Sequence, residues 1–180
     1  MADHRAVSTD AATRAKPPET LAELADHSAI TDVLHEYCEA VDEMRVDDVT
    51  AMFTEDCRFD RGNGNVFTGR AALGEFLGGG LTRYDATSHH LSNVRIALVD
   101  ERTATVSSYV YAAHWYVGDA ETRELWARYR DILVKADGVW RIAERKIRMV
   151  GAKLYPLNAS PAPFETLPRG TSAAGSRPTD

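Results

Sequence analysis

The stretch AITDVLHEYCEAVD, residues 29–42, decides the first half of the fold. Its apolar residues recur with the i, i+3, i+4, i+7 spacing that places them on one face of an amphipathic helix. These residues are Ile30, Val33, Leu34, Tyr37, Cys38 and Val41. Ser28 and Asp26 are the N-cap candidates, because short polar side chains can accept a hydrogen bond from the first turn. We expect this helix to pack its apolar face against a sheet.

Two shorter helices should follow the long one. The pattern predicts a helix over residues 46–53 and another over residues 70–77. The run Gly78-Gly79-Gly80 is expected to end the second of these, since glycine is a poor helix former.

Beyond the glycines the apolar period changes from that of a helix to the period of two that is typical of strands. Val94, Ile96 and Leu98 alternate with Arg95 and Ala97. Three further segments rich in Val, Ile, Tyr and Trp follow, over residues 103–117, 124–135 and 139–154, and a smaller strand pair is predicted within residues 57–67. The connections between the long strands are short enough for antiparallel hairpins. The sequence therefore predicts an α+β fold, with three N-terminal helices packed on a curved antiparallel sheet.

Bulk composition limits the class of protein. The chain has 180 residues, 44% of them hydrophobic, which suits one domain with a core. The formal net charge is −6 without any run of Lys or Arg, so nucleic acid and anionic membranes are disfavoured as partners. The two cysteines form no CxxC pair, and no secretory signal or long apolar run is present. We expect a cytoplasmic protein with reduced thiols.

The predicted domain boundaries follow composition. Residues 1–20 contain almost no large apolar side chains and are expected to form a flexible arm. Residues 21–158 should form the folded domain. Residues 159–180, rich in Pro, Ser, Gly and Thr, should form a partly disordered C-terminal extension.

Asp42 and Tyr37 are the first candidates for a functional site. Asp42 continues the Leu34 and Cys38 row one helical turn later, so its carboxylate can enter the space between helix and sheet. The alternative for Asp42 is a solvated residue at the helix end. Tyr37 lies within the apolar stripe and could equally be a core tyrosine with a satisfied hydroxyl.

His89 and His90 are neighbours on a predicted strand, so their side chains should point to opposite faces. At most one of them can enter a given pocket, and a purely structural histidine is the competing interpretation. The alternation places His89 on the face opposite to Ile96 and Leu98. Because no metal-ligand motif accompanies these histidines, we do not expect a metal site.

The last strand carries Arg145, which parity places on the face opposite to Trp140. A salt-bridged or solvated surface arginine is the alternative for this position. Aromatic residues on the strands, Tyr109, Tyr111 and Tyr129 among them, could line a ligand cavity or belong to the core or to a subunit interface.

Several of these segments together resemble one family. They are residues 29–34 leading into Tyr37, the Ala40-Val41-Asp42 step, residues 51–56, and residues 137–142 leading into Arg145. Over residues 21–156 the chain resembles the SnoaL-like branch of the nuclear transport factor 2 superfamily. Within that branch it is most similar to the scytalone dehydratase, bile acid 7α-dehydratase and hexachlorocyclohexane dehydrochlorinase types.

The resemblance implies a cone-shaped α+β barrel that contains an Asp-His dyad. Asp42 would orient His89, which would take a proton from carbon while hydroxide or chloride leaves. Tyr37 and Arg145 would support the charge that develops on the substrate. The residues expected to bind the substrate are Phe53, Phe59, Tyr109, Tyr111, His114 and Tyr129, with His114 also the candidate for a second catalytic histidine.

The implied activity is that of a lyase or isomerase that needs neither a metal nor an organic cofactor and acts on a small hydrophobic cyclic substrate. A polyketide-type cyclase is the near alternative, and a non-catalytic ligand-binding or assembly module of the same fold is the distant one. Related lyases imply a homo-oligomer, with a trimer favoured and a dimer possible. Val94, Ile96 and Leu98 are the apolar residues proposed for that interface.

Overall fold

A computed structural model describes residues 16–118 and 121–156. The predicted arm up to residue 15 and the extension from residue 159 onward lie outside these residues. No helix within the described part is long and apolar enough to cross a membrane. In chain order the elements are α1 (Leu21–Asp42), α2 (Val46–Ala51), β1 (Phe53–Asp60), β2 (Val66–Thr68), α3 (Arg70–Leu81), β3 (Tyr84–Asp100), β4 (Thr103–Tyr116), β5 (Glu121–Ala136) and β6 (Val139–Pro156).

The strands form a six-stranded sheet in the order β2-β1-β6-β5-β4-β3. The last four strands pair with their sequence neighbours in an antiparallel meander, whereas β1 pairs with β6 in parallel. Asp137 and Gly138 both have positive φ, at 53° and 77°, as the tight β5–β6 turn requires. The three helices pack against this curved, open sheet, so the predicted α+β cone is confirmed.

Helix α1 begins earlier than its predicted caps. Thr20 is the N-cap: its hydroxyl accepts a hydrogen bond from the backbone N–H of Glu23 at 3.1 Å, and the Glu23 carboxylate accepts one from the Thr20 N–H at 3.0 Å. The prediction of Ser28 or Asp26 as the cap is therefore wrong. The Asp26 carboxylate instead accepts hydrogen bonds from Lys135 Nζ at 2.6 Å and Trp140 Nε1 at 2.9 Å, which tie this helix to the β5–β6 hairpin.

The other two helices also differ from prediction in their lengths. Helix α2 ends at Ala51, because Phe53 already begins β1 and is fully buried there. Helix α3 continues through the three glycines to Leu81, so its predicted end is wrong. Leu73, Leu77 and Leu81 recur every four residues on its buried face. Burying one such leucine stabilises by about 1.5–3 kcal/mol, whereas one helical glycine costs about 1 kcal/mol relative to alanine.

A bulge in β3 changes which side chains share a face. Its register against β4 shifts between Ser92 and Arg95, and Asn93 adopts a φ of +51° within the shift. His89 pairs with Ala112 and Ile96 pairs with Val106, two positions of β4 that face the same side. The prediction that His89 and Ile96 lie on opposite faces is therefore wrong, because simple alternation does not survive a bulge.

This bulge also removes the apolar surface proposed for an oligomer interface. Ile96 is only 7% exposed and belongs to the core, while Val94 and Leu98 are partly buried against it. Ile96 is therefore not available to a partner subunit, and Val94 and Leu98 are only partly available. The homo-oligomer stays a prediction without them.

A second irregularity, in β6, affects Arg145. The register of β6 against β5 shifts between the pairs Leu133–Ile142 and Ile132–Glu144. Trp140 and Arg145 consequently both face the core, and the prediction that they take opposite faces is wrong. The extra residue, Ala143, turns the arginine inward.

Gly62, in the β1–β2 connection, lies directly against the backbone of β6. Its φ is +73°, and a Cβ added there would lie 2.1 Å from the carbonyl oxygen of Ile147. We predict that Gly62→Ala lowers the free energy of unfolding by about 3 kcal/mol, through strained φ and overlap with the backbone. Gly64→Ala, where φ is +92° and nothing lies within 4 Å, should cost only about 1 kcal/mol. Urea denaturation measures both, and equal losses would contradict the packing argument.

Candidate active site

A cavity of about 130 Å³ lies between the helices and the inner face of the sheet. Most of its wall is apolar, and its polar side chains come from tyrosine, histidine and arginine. Its lining includes Tyr37, Phe59, Arg61, Phe76, Arg83, Tyr84, His89, His114 and Tyr129. The cavity combines the two properties of a small-molecule site, an apolar wall and a few convergent polar groups.

His89 lines one wall of the cavity and is paired with Asp42, as the sequence predicted. Asp42 is the last residue of α1, and its Oδ1 lies 2.6 Å from His89 Nδ1 on β3. The His89 backbone N–H donates to Asp42 Oδ2 at 2.8 Å, and the Thr87 hydroxyl donates to Oδ1 at 2.8 Å. The side chain of Asp42 is 25% exposed and that of His89 is 10% exposed. The carboxylate is therefore held by three donors in a partly desolvated place, and is not a solvated helix-end residue.

The hydrogen bonds to Asp42 determine its charge and the tautomer of His89. Burial alone would raise the pKa of Asp42, but the hydrogen bonds from His89 and Thr87 outweigh burial and hold this pKa below its ordinary value. The ionised carboxylate is an acceptor only, so the proton of a neutral His89 ring is assigned to Nδ1. Nε2 is then the basic nitrogen of a side chain that lines the cavity.

His114 lies beside this pair on the inner face of β4. Its ring centroid is 5.4 Å from that of His89 and 4.8 Å from that of Tyr84. Burial, aided by the nearby His89, lowers the pKa of His114 to about 4. Its Nδ1 makes no hydrogen bond with any described residue. His114 is therefore neutral at physiological pH, and its unpartnered Nδ1 is buried.

Arg145 lies behind the cavity wall, not in it. It is fully buried, and its Nε and Nη2 donate to the two oxygens of Asp131 at 2.9 and 2.7 Å. The guanidinium carbon lies 4.0 Å from the ring centroid of Tyr37 and 4.4 Å from that of Tyr129. The two tyrosines separate Arg145 from the pocket, so it can influence a ligand through them and does not contact one directly.

Both tyrosines remain protonated at physiological pH. Burial raises the pKa of Tyr37, although the Arg145 charge opposes the rise. Burial also raises the pKa of Tyr129 well above its ordinary value. Their hydroxyl groups can therefore act as hydrogen-bond donors.

The remaining predicted substrate-binding residues divide into two groups. Phe59 lines the cavity, and Phe53 packs behind it in the core at a ring distance of 6.1 Å. Tyr109 and Tyr111 lie on the outer face of the sheet, since strand β4 turns Val110 and Ala112 inward. Tyr109 there packs under Arg128, at 4.2 Å.

His90 also lies on that outer face, against the ring of Tyr111 at 5.9 Å. His89, rather than its neighbour, is thus the histidine that the strand presents to the pocket.

Some residues of the site were not identified from sequence. Thr87 shares a face with His89 two positions earlier on the strand, which could have marked it as a second donor to Asp42. Asp131 was missed because the partner of Arg145 lies on another strand, 14 residues earlier. Arg61 and Arg83 come from connections, whose side-chain directions no periodicity predicts.

The thiol and metal chemistry of the described residues is limited. Burial raises the pKa of Cys38 to about 11, so this thiol stays protonated at physiological pH. Cys57 is also free and buried. No group of three or more His, Cys, Asp or Glu side chains within residues 16–118 and 121–156 could hold a metal ion.

Comparison with known proteins places this geometry in context. The profile of the SnoaL-like domain matches residues 22–146. A candidate scytalone dehydratase from Novosphingobium aromaticivorans is 33% identical, with a TM-score of 0.72 over 77% of this chain and 93% of that chain. A hexachlorocyclohexane dehydrochlorinase shares the fold at 19% identity, with a TM-score of 0.70 over 83% and 98% of the two chains. An uncharacterised protein of Mycobacterium tuberculosis is 28% identical over 70% of this chain and 86% of its own length.

The low pKa of His114 predicts a pH dependence of stability. Between its ordinary pKa of 6.5 and the folded value of about 4, the unfolded chain binds a proton that the folded chain does not. The free energy of unfolding should therefore fall as pH drops through this window, by at most about 3 kcal/mol from this group. His114→Asn should remove that part of the slope in urea titrations at pH 4–7.

His90→Asn, on the outer face, is the matched control and should keep the wild-type slope. A slope unchanged in His114→Asn as well would contradict the assigned burial of the neutral ring.

The Arg145–Asp131 pair predicts strong coupling between two substitutions. Arg145→Met and Asp131→Leu should each lower the free energy of unfolding by about 3–5 kcal/mol, because each leaves one buried charge without its partner. The double variant should lose much less than the sum of the two. A double-mutant cycle in urea measures this coupling, and additive losses would mean that the pair is not desolvated as described.

Proposed function

The chain belongs to the family of SnoaL-like domains, and from this premise we propose that it is a cofactor-independent lyase that removes water from a small hydrophobic cyclic substrate. The observation that carries the proposal is the 2.6 Å contact between Asp42 and His89 at the wall of an apolar pocket. An ionised carboxylate and an oriented imidazole are the parts that proton abstraction from carbon needs.

The first step is the transfer of a proton from a substrate carbon to Nε2 of His89. The C–H electron pair moves toward an adjacent carbonyl, which gives an enolate. The imidazolium that forms is stabilised by Asp42, which accepts a hydrogen bond from the Nδ1–H group and keeps its full negative charge. The apolar wall strengthens this pairing, since electrostatic attraction grows as water is excluded.

In the second step the enolate expels the hydroxyl group on the neighbouring carbon. The C–O bond breaks, a C=C bond forms, and the imidazolium returns its proton to the departing oxygen as water. His89 is then neutral again and no external oxidant, reductant or acid is consumed. Return of the same proton to a different carbon would give an isomerase with the same residues, and this is the second reaction that the geometry suits.

The tyrosines of the wall have the role of stabilising the enolate oxygen. Tyr37 and Tyr129 are neutral donors backed by the Arg145 guanidinium, which lies 4.0 and 4.4 Å from their ring centroids. A donor that is held in place before the reaction can lower the barrier by about 2.7–4 kcal/mol. Arg145 acts here as a positioning residue.

The comparisons support a reaction of this kind. The solved relative that shares a third of its sequence with the chain is named as a candidate dehydratase, and its structure covers most of the described fold. Elimination of water is therefore the first reaction to test.

Substitution of the dyad gives the decisive test. We predict that Asp42→Asn lowers the rate of α-proton exchange into D₂O, and of water loss, by about 10²–10⁴-fold on bicyclic β-hydroxy ketones. The physical reason is the loss of the charge that orients His89 and stabilises its protonated form. NMR of the substrate measures exchange, and ultraviolet absorbance of the enone measures elimination.

Asp47→Asn is the matched control, because Asp47 is an exposed acid on α2 that lies outside the cavity. It should keep the wild-type rate. His89→Gln should lose exchange entirely. If the wild-type protein exchanges no α-proton on any of the bicyclic β-hydroxy ketones, the lyase and isomerase proposals are both wrong.

A further inference from the structure

The cavity has an uneven distribution of charge. The described residues that line it include no Asp or Glu. They include two arginines, Arg61 and Arg83. The whole chain carries a formal charge of −6, whereas the charged side chains that line the cavity are both arginines and the Asp42 carboxylate lies behind His89. Such a local reversal of sign is typical of a site that receives an anion.

The two arginines are held at fixed points along one side of α3. The Arg61 guanidinium carbon lies 5.0 Å from the ring centroid of Phe76, which stacks on Phe67 at 4.2 Å. Arg83 Nε donates to the carbonyl oxygen of Gly80 at 3.4 Å. Phe76 and Gly80 are four residues apart, which is about one helical turn of 5.4 Å. The contacts with Phe76 and Gly80 therefore place the guanidinium groups of Arg61 and Arg83 beside the same turn of α3.

The connection that carries Arg61 is itself fixed. Its backbone N–H donates to the carbonyl of Asn65 at 3.0 Å, and the following Gly62 lies directly against the backbone of Ile147. On the other side, the backbone carbonyl of Arg83 accepts from the Val117 N–H at 3.0 Å. Neither arginine thus depends on a mobile backbone for its position.

Exposure shows which end of the cavity the arginines occupy. Arg83 is exposed and Arg61 half-buried, whereas Tyr37 and Tyr129 are buried and His89 is only 10% exposed at its side chain. The cations therefore lie at the mouth and the dyad lies inside. A ligand that uses both would be apolar at its reacting end and charged at the other.

From this arrangement we infer that the substrate is an amphipathic acid, with a carboxylate bound by Arg61 and Arg83 at the mouth and its cyclic apolar body against the inner wall. The inference rests on the proposed function for the reacting end, and on the two arginines for the charged end. A guanidinium suits a carboxylate because its planar donors match the two oxygens.

The charged end can be tested without turnover. The probes are 2-naphthoate and its neutral counterpart 2-naphthamide, which have the same bicyclic body, with dissociation constants measured by calorimetry at low salt. Wild type should bind the carboxylate about tenfold more tightly than the amide, and this ratio should fall as salt is raised. Arg61→Gln and Arg83→Gln should each reduce the ratio, and the double variant should abolish it by weakening the binding of the carboxylate.

Arg102→Gln is the matched control, since Arg102 is an exposed arginine in the β3–β4 connection outside the cavity and its loss changes net charge equally. It should keep the wild-type ratio. Equal binding of the two probes to wild type, or an equal fall in all three single variants, would overturn the inference.

Measuring the same ratio in His89→Gln separates the two proposals. A preserved carboxylate preference in that variant, together with a wild type that exchanges no proton, would support the acid-binding mouth and reject the lyase. Proton exchange without any carboxylate preference would do the reverse.

Discussion

The fold and the candidate site both depend on the carboxylate of Asp42. It ends α1 and accepts hydrogen bonds from the Thr87 hydroxyl, the His89 backbone N–H and the His89 ring. One side chain thereby joins the longest helix to the first long strand and fixes the rotation of the imidazole. A carboxylate can do both because its two oxygens accept several bonds at once, and these bonds more than offset the cost of partial burial. The packing that supports the core also sets the geometry of this hydrogen-bonded pair.

A second buried charge, in the Arg145–Asp131 ion pair, fixes the part of the cavity wall that Tyr37 and Tyr129 form. Arg145 and Asp131 are both removed from water, and such a pair is weak evidence for stability because desolvation consumes most of its attraction. The pair does fix geometry, since two parallel hydrogen bonds leave the guanidinium plane little freedom. Tyr37 and Tyr129 pack on the guanidinium, so the positions of both rings follow from an ion pair that no ligand needs to touch.

The sequence predicted what depends on regular periodicity and failed where periodicity is interrupted. The apolar row of α1 identified Asp42, because a residue one turn beyond a buried row keeps its direction. The face of Ile96 was predicted wrongly, because Asn93 adopts a left-handed φ and adds one residue to the strand. The face of Arg145 was predicted wrongly for the same reason, because the register of β6 shifts before it. A bulge depends on pairing with a strand that is distant in sequence. The local alternation of apolar residues therefore does not predict it.

The same reasoning explains why the sequence predicted residues in the interior of the pocket and did not predict those at its mouth. His89 and Tyr37 belong to regular elements, whose side-chain directions follow from spacing. Arg61 and Arg83 lie in connections, and their positions follow from Phe76, Gly80 and the close approach of Gly62 to β6. Under the two proposals, the reaction chemistry would come from the helices and strands, and charge selection would come from the connections, which are generally the more variable parts of a fold. The two proposals together predict that a change of substrate within this fold would require new side chains at the mouth and none at the dyad.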